Sequence, residues 1–356
     1  MSSVIARVQQ RADTEIARQR ALLADLGPDV ADLLDVCEAL LRGGKRLRAS
    51  FVVWGYCSVA GVTADDAPPG VIDLATAMEL FQAGALIHDD VMDGSDTRRG
   101  APAAHVSLAS RHLDRGWLGP AERTGLAGAV LAGNLCLGAA EDLVSGADLP
   151  PAAGAAAREM FATMRTQLMA GQYLDVVESV RPWDDLPGSE RLERADRVIR
   201  FKSAKYSVEH PVLIGALAAG ADQDRIDALS HYGLSVGRAF QLRDDLLGVF
   251  GDPAVTGKPA GDDLREGKRT VLVAAALERL DSAGEARLLA GLGRPEPETV
   301  AALQEQIAAT GAVEWVESRI AALVSDSRTA LADANLSPEG YAALTDLADQ
   351  ATRRVA

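Results

Sequence analysis

The stretch Val71–Asp93, VIDLATAMELFQAGALIHDDVMD, decides the fold class. Its apolar residues recur at helical spacing and wrap nearly the whole axis from Val71 to Ile87, the pattern of a helix buried on all sides. Yet it ends in His88, Asp89, Asp90 and Asp93. Carboxylates are almost never buried without a partner, so acids on a core helix predict a cation or a water-filled cavity. Asp89 and Asp93 share one helical face, while Asp90 is turned away by about 100°. That pair suits a hard cation held through oxygen. Magnesium fits best, because it takes one or two carboxylates, keeps several waters and completes its shell with phosphate oxygens. Arg98 and Arg99 follow at once, and guanidinium forks match phosphate oxygens bidentately. A solvated acidic helix end before a basic turn would explain the acids alone, but not acids, arginines and a buried approach helix together.

A second helix of the same kind spans Ser235 to Phe250 and carries Gln241, Arg243, Asp244 and Asp245. Gln241 lies one turn before Asp244 and Asp245, and a Gly/Pro-rich loop then presents Lys258 and Lys268 beside Asp262 and Asp263. Such a loop could close over an anion, although alone it reads as a solvated connector. Upstream, RGGKRLR at Arg42–Arg48 sets two glycines before Lys45, Arg46 and Arg48. Paired glycines let backbone amides approach an anion closely. No GxxxxGK[ST] or GxGxxG spacing exists, so this is not a nucleotide-binding phosphate loop. Gln172 and Asp175 in GQYLD, and Lys202 with Ser203 in FKSAKY, are polar positions in otherwise helical segments, each by itself more ordinarily structural.

The rest of the chain follows the same period. Ala and Leu dominate, β-branched runs are short, and no convincing strand is visible, so the fold class is all-α. Pro/Gly/Asp-rich breaks at Thr63–Gly70, Ser145–Gly154, Arg181–Glu190 and Gly291–Glu296 read as inter-helix loops rather than domain linkers. The 356 residues are 48% apolar, enough for a large core. With 36 basic and 51 acidic residues, the net charge of -15 disfavours general nucleic-acid binding. Cys37, Cys57 and Cys136 are odd in number and set among apolar neighbours, which suggests buried thiols rather than disulfides or a zinc site. The longest uncharged run, Thr124–Ala140, is too short to span a membrane and is broken by Gly and Asn134. The opening MSSVIARVQQ mixes charge with apolar residues, unlike a signal peptide, and points to the cytoplasm.

Two acidic groups and several cationic clusters suit a diphosphate and its metal. In order and spacing the chain resembles a trans-isoprenyl diphosphate synthase of the polyprenyl synthetase family. The motifs are GGKxxR at Gly43–Arg48, DDxxD with RRG over Asp89–Gly100, GQxxD at Gly171–Asp175, K[ST] at Lys202–Ser203, FQxxDD at Phe240–Asp245, and two GK pairs at Lys258 and Lys268. The resemblance implies a single domain over 1–356, motif-bearing from about 43 to 270, folded as an isoprenoid-synthase helical bundle around a central cavity. It implies a Mg2+-dependent prenyltransferase that ionises an allylic diphosphate, lets isopentenyl diphosphate attack the carbocation, and lengthens the chain by one five-carbon unit. Asp89 and Asp93 would hold magnesium from one side and Asp244 from the other, with Asp175 as a further metal ligand, and Asp90, Asp245 and Lys202 would join the three as catalytic residues. Arg98, Lys202, Ser203, Gln241, Lys258 and Lys268 would bind the allylic diphosphate, and Lys45, Arg48, Gln82 and Arg99 the isopentenyl diphosphate. A homodimer is implied as well.

One position departs from the family: Gly248 stands where the second motif usually carries a third aspartate. Asp252, Asp262 or water could fill the outer shell, so activity is expected to survive. A class I terpene cyclase would need no second diphosphate site, and a non-catalytic subunit would lack the first motif or the basic residues. Product length should depend on Ala85 and Gly84, which stand where farnesyl-stopping synthases often carry bulky aromatics, and then on Phe81 and Met78. Gly84 makes room either for the tail or for a close helix neighbour. Geranylgeranyl diphosphate is the first expectation, a slightly longer chain the second and farnesyl diphosphate the third.

Overall fold

The computed structural model describes residues 2–252 and 260–353, most of them helical. Contacts gather into two compact units interleaved along the chain. The first takes the chain as far as Glu159, Pro211–Ala221 and Ser337–Gly340, and the second takes Met160–His210, Asp222–Leu336 and the chain from Tyr341.

The first unit contains α1 (Ser2–Leu22), α2 (Ala31–Leu41), α3 (Leu47–Ala60), α4 (Pro69–Asp93), α5 (Ala104–Asp114) and α6 (Ala121–Gly146). The apolar stretch that opened the reading is α4. It begins on Pro69, whose missing N–H costs nothing at a first turn, and stops at Gly94, whose φ of 65° lets its N–H reach the carbonyl of Asp90. Leu74, Met78, Leu80, Phe81 and Ile87 of this helix are fully buried. α6 packs along it. A Cβ on Gly84 would lie 2.8 Å from the carbonyl oxygen of Gly133 and 3.1 Å from Cβ of Cys136, so the absent side chain lets two helix backbones meet. Four residues on, His88 Nε2 bonds the carbonyl of Val130 at 3.1 Å. By length and composition α4 and α6 could each cross a membrane, contrary to the reading from uncharged runs, because α4 keeps Asp73 and Glu79 within an otherwise apolar helix. In α4 that apolar surface is spent on the protein's own core.

The expectation of no strands is corrected in one place. Thr97–Arg98 and Ala101–Pro102 form a small antiparallel hairpin, Arg98 opposite Ala101. Its two turn residues, Arg99 and Gly100, have φ of 54° and 76°, the positive pair of a two-residue hairpin turn.

The second unit holds most of α7 (Pro151–Val180), α8 (Gly188–Val198), a π-helical segment (Ile199–Glu209), α10 (Gln223–Phe250), α11 (Asp262–Arg265), α12 (Val271–Leu277), α13 (Ser282–Gly291), α14 (Pro297–Ala309), α15 (Ala312–Asp333) and the greater part of α16 (Pro338–Thr352); α9 (His210–Ala218) lies almost wholly in the first. Its core runs from Trp183 and Ile199 through Leu242, Leu246 and Leu272 to Ile307 and Val316. The π-helical segment is wedged between glycines. A Cβ on Gly171 of α7 would come within 2.6 Å of the amide of Lys202, and one on Gly237 of α10 within 2.5 Å of the carbonyl oxygen of Ala204. A backbone gripped this closely from two sides holds Lys202 and Ser203 on a rigid support, and π-helical turns recur at functional sites.

Candidate active site

The first acidic group sits where α4 ends. Asp89 and Asp93 are half-buried on one side of the helix, whereas Asp90 is fully buried. The hairpin returns Arg98 to this end. Its Nε donates to Oδ1 of Asp90 at 2.8 Å, Nη2 donates to the same oxygen, and Nη2 lies 3.6 Å from Oδ2 of Asp89. Burial alone would lower the Arg98 pKa, but the hydrogen bonds to Asp90 and the charges of Asp89, Asp90 and Asp93 raise it. Asp90, grouped with the catalytic residues at the outset, is here the hydrogen-bond partner of Arg98.

The basic segment before α3 divides into outward and inward residues. Gly43 and Gly44 have φ of 73° and 84°, and no Cβ stands between the loop and the guanidinium of Arg99, which would lie 3.7 Å from one at Gly44. Lys45 is exposed and Arg48 half-buried. Arg46 turns inward instead. It adopts the left-handed φ of 50°, bonds Oε2 of Glu79 at 3.0 Å and Oε1 of Gln9 at 2.6 Å, and also bonds the carbonyl of Leu41. The other carboxylate oxygen of Glu79 accepts the Ala49 N–H at 3.2 Å, in the first turn of α3, where a negative charge complements the helix dipole. Arg99 bonds the carbonyl of Leu40 at 3.2 Å. Its pKa is pushed down, first by desolvation and then by Arg46 against a counter-effect of Glu79, with Arg98 and Arg48 adding repulsion. A group of mutually repelling guanidinium ions stores a preference for an anion. Gln82 is half-buried on α4, two turns before Asp89.

In the second unit Lys202 Nζ meets Asp175 Oδ2 at 2.5 Å. Asp175, first read among the metal ligands, is thus the carboxylate that holds Lys202. Ser203 donates to Oε1 of Gln241 at 2.5 Å, and Gln241 Nε2 donates to Oδ1 of Asp245 at 2.8 Å. This chain ties the π-helical segment to α10. Asp244 is exposed beside buried Asp245. Lys268 Nζ lies 2.5 Å from Glu266 and 3.4 Å from Asp263. Lys258 lies outside the described residues.

Both acidic groups offer carboxylate oxygen, the donor a hard cation takes, although among the described residues no three such side chains gather to hold an ion. Oδ2 of Asp245 is buried with no hydrogen-bond partner among the described residues. Burial, followed by the nearby charge of Asp263, pushes this carboxyl well above the usual range. A cation at this group would remove the repulsion.

Of the residues expected to govern product length, Met78 and Phe81 are packed in the core, and Ala85 is half-buried on the Gln82–Asp89 side. Gly84 faces α6, the second of the two uses left open for it, and the space it leaves is taken by Gly133 and Cys136. Glu79 and Asp263 were passed over at the sequence level. An acid inside the apolar stretch of α4 was a signal for the first, whereas Asp263 looked like one of several acids in a charged loop.

A sequence model of the polyprenyl synthetase family matches residues 30–310. The geranylgeranyl pyrophosphate synthase of Corynebacterium glutamicum, solved with isoprenyl diphosphate and magnesium, shares the fold with a TM-score of 0.92 and 41% identity over 99% of both chains. A short chain isoprenyl diphosphate synthase of Methanothermobacter thermautotrophicus is 31% identical over 317 residues, 88% of this chain and 87% of its own. A geranylfarnesyl diphosphate synthase of Aeropyrum pernix is 31% identical over 295 residues, 81% of this chain and 83% of its own. With motifs, helical fold and relatives in agreement, the chain belongs to the polyprenyl synthetase family and is a trans-prenyltransferase that makes isoprenyl diphosphates.

Proposed function

We propose that the protein is a Mg2+-dependent geranylgeranyl diphosphate synthase, working as one polyprenyl synthetase domain over its whole length. The observation that carries the reading is the end of α4, where Asp89 and Asp93 stand beside an arginine folded back onto Asp90. Asp89, Asp93 and Asp244 hold the magnesium ions. Magnesium there supplies electrophilic compensation for the negative charge that grows on the departing diphosphate. Arg98, Lys202, Ser203, Gln241, Lys258 and Lys268 grip the allylic diphosphate, Asp90 and Asp175 aiming Arg98 and Lys202. Lys45, Arg48, Gln82 and Arg99 bind isopentenyl diphosphate without metal. The half-buried Gln82–Ala85–Asp89 side of α4 leaves the tail a path past a small residue, with Phe81 one turn further as its floor. The name of the Corynebacterium relative supports geranylgeranyl diphosphate as product, and the Aeropyrum relative makes a slightly longer chain the second reading. Exposed Val130 and Leu131 on α6 support pairing of two copies, and buried unpaired thiols support a reducing cytoplasm.

The test is consumption of isopentenyl diphosphate with dimethylallyl, geranyl or farnesyl diphosphate, read by product length. Turnover should stop in excess EDTA and return with Mg2+. Asp89→Ala, Asp93→Ala and Asp244→Ala should each lose about a thousandfold in rate, since a metal ligand supports several kcal/mol of charge stabilisation. Full turnover in EDTA, or a near wild-type Asp89→Ala enzyme, would end the assignment.

A further inference from the structure

Arg46 is 5% exposed and adopts a φ of 50°, a left-handed conformation that an arginine keeps only when its surroundings enforce it. Four helices do so. Its guanidinium bonds Oε2 of Glu79 on α4 at 3.0 Å, Oε1 of Gln9 on α1 at 2.6 Å and the carbonyl of Leu41 at the end of α2. Its own carbonyl accepts the N–H and the hydroxyl of Ser50 on α3, each at 2.9 Å. Glu79, 8% exposed, gives its second oxygen to the Ala49 N–H. One buried carboxylate therefore holds the chain on both sides of Arg48, at positions 46 and 49. Each residue assigned to isopentenyl diphosphate adjoins this cluster. Lys45 is the neighbour of Arg46, and Arg48 lies between the two anchored positions. Gln82 follows Glu79 by three residues, on the same side of α4. Arg99 bonds the carbonyl of Leu40, next to the carbonyl that Arg46 takes, and among the charges acting on Arg99 that of Arg46 is the strongest.

We infer that Glu79 and Arg46 are positioning residues for isopentenyl diphosphate, acting through Lys45, Arg48 and Arg99 rather than on the substrate. This rests on the assignment of those three residues under the proposed function and deepens it. The guanidinium of Arg46 is already surrounded by carboxylate, amide and carbonyl oxygens, so its donors are not offered to a phosphate. The loop before it opens on Gly43 and Gly44, which have no side chains to fix its course. Direction for Lys45 and Arg48 comes instead from the bonds at Arg46 and Ala49. Two explanations compete with this one. The pair could serve folding alone, or Glu79 could act only as a counter-ion that tempers the positive charge around Arg99. A counter-ion is distinguished by sign: neutralising it would strengthen the binding of an anion, whereas loss of positioning weakens it.

The experiment is calorimetric binding of isopentenyl diphosphate to the whole protein in EDTA, beside KM and kcat for both substrates with Mg2+, with far-UV circular dichroism as the folding control. Glu79→Gln keeps the shape of the side chain and removes its charge. It should raise Kd and KM for isopentenyl diphosphate about tenfold, as misplaced binding groups do, and leave kcat and the allylic KM within about twofold of wild type. Arg46→Lys keeps the charge but loses the planar fork that reaches three oxygens, and should weaken binding to a similar degree. Gln9→Ala removes one bond at the edge of the cluster, leaves the ion pair in place and should cost about threefold. A folded Glu79→Gln protein that binds isopentenyl diphosphate as well as wild type, or more tightly, overturns the inference. So does an equal rise in KM for both substrates. Should Glu79→Gln and Arg46→Lys both fail to fold, Gln9→Ala decides, and an unchanged Kd there overturns the inference too. No binding by the wild-type protein in EDTA, or wild-type affinity in Lys45→Ala, would count against the assignment of the site itself, whatever Glu79 does.

Discussion

Lys45 and Arg46 are neighbours in a basic run, and their side chains do opposite work. Lys45 projects from a glycine loop into solvent, while Arg46 is buried on Glu79 at the start of α3. Arg46→Ala should destabilise the protein by about 3–5 kcal/mol, the usual cost of leaving one partner of a buried ion pair alone, measured as a lower urea midpoint. Lys45→Ala should leave that midpoint within about 0.5 kcal/mol, as exposed substitutions do. Its effect is kinetic: Lys45→Ala and Arg48→Ala should each raise KM for isopentenyl diphosphate more than KM for the allylic substrate. Equal rises in both would mean that the two diphosphate sites are wrongly divided. Sequence spacing made both residues visible as basic, but nothing in a run of basic letters marks which side chain turns inward.

At the level of elements, α4 serves the core and the site from different sides. Gly84 is turned to α6 and Ala85 to the half-buried Gln82–Asp89 side. Gly84→Ala should therefore cost about 1–3 kcal/mol by overpacking the helix contact, seen in thermal unfolding, and leave product length as it was. Ala85→Phe should shorten the main product and Phe81→Ala lengthen it, read by chromatography of the dephosphorylated alcohols. Unchanged products from both active variants would show that the tail runs elsewhere. A single helical period predicts which residues share a face of α4, but not which neighbour each face meets. The same limit applies to FKSAKY, whose helical reading held while its π-helical winding, gripped by Gly171 and Gly237, was invisible in the sequence.

Over the whole molecule, burial sets the response to acid and to thiol reagents. His210 is 2% exposed, and desolvation, helped by Lys205, pulls its pKa from 6.5 down to about 3. The unfolded chain therefore takes up this proton first as pH falls, so the stability His210 contributes is whole above about pH 6.5 and drains away towards pH 3. Urea midpoints between pH 7 and 4 should fall less steeply in His210→Gln than in wild type; parallel slopes would remove His210 from the account. All three cysteines are buried and free, and burial pushes Cys57 up to about 12. At mildly alkaline pH a disulfide reagent should find no thiol in the native protein and three after unfolding.

The residue order alone determined the all-helical class, both acidic groups and the basic residues around them, because periodicity and motif spacing are properties of the chain itself. Tertiary structure decided which partner each charge meets. Asp90 and Asp175, adjacent in sequence to metal-binding positions or grouped with them, became the partners of Arg98 and Lys202. Gly84 was given to a helix contact, and the room beside Gly248 to the carboxyl of Asp263, fifteen positions along the chain. Such assignments depend on which side chain reaches a point in space first. That distance is settled by the packing of helices far apart in sequence, for which no local pattern is written.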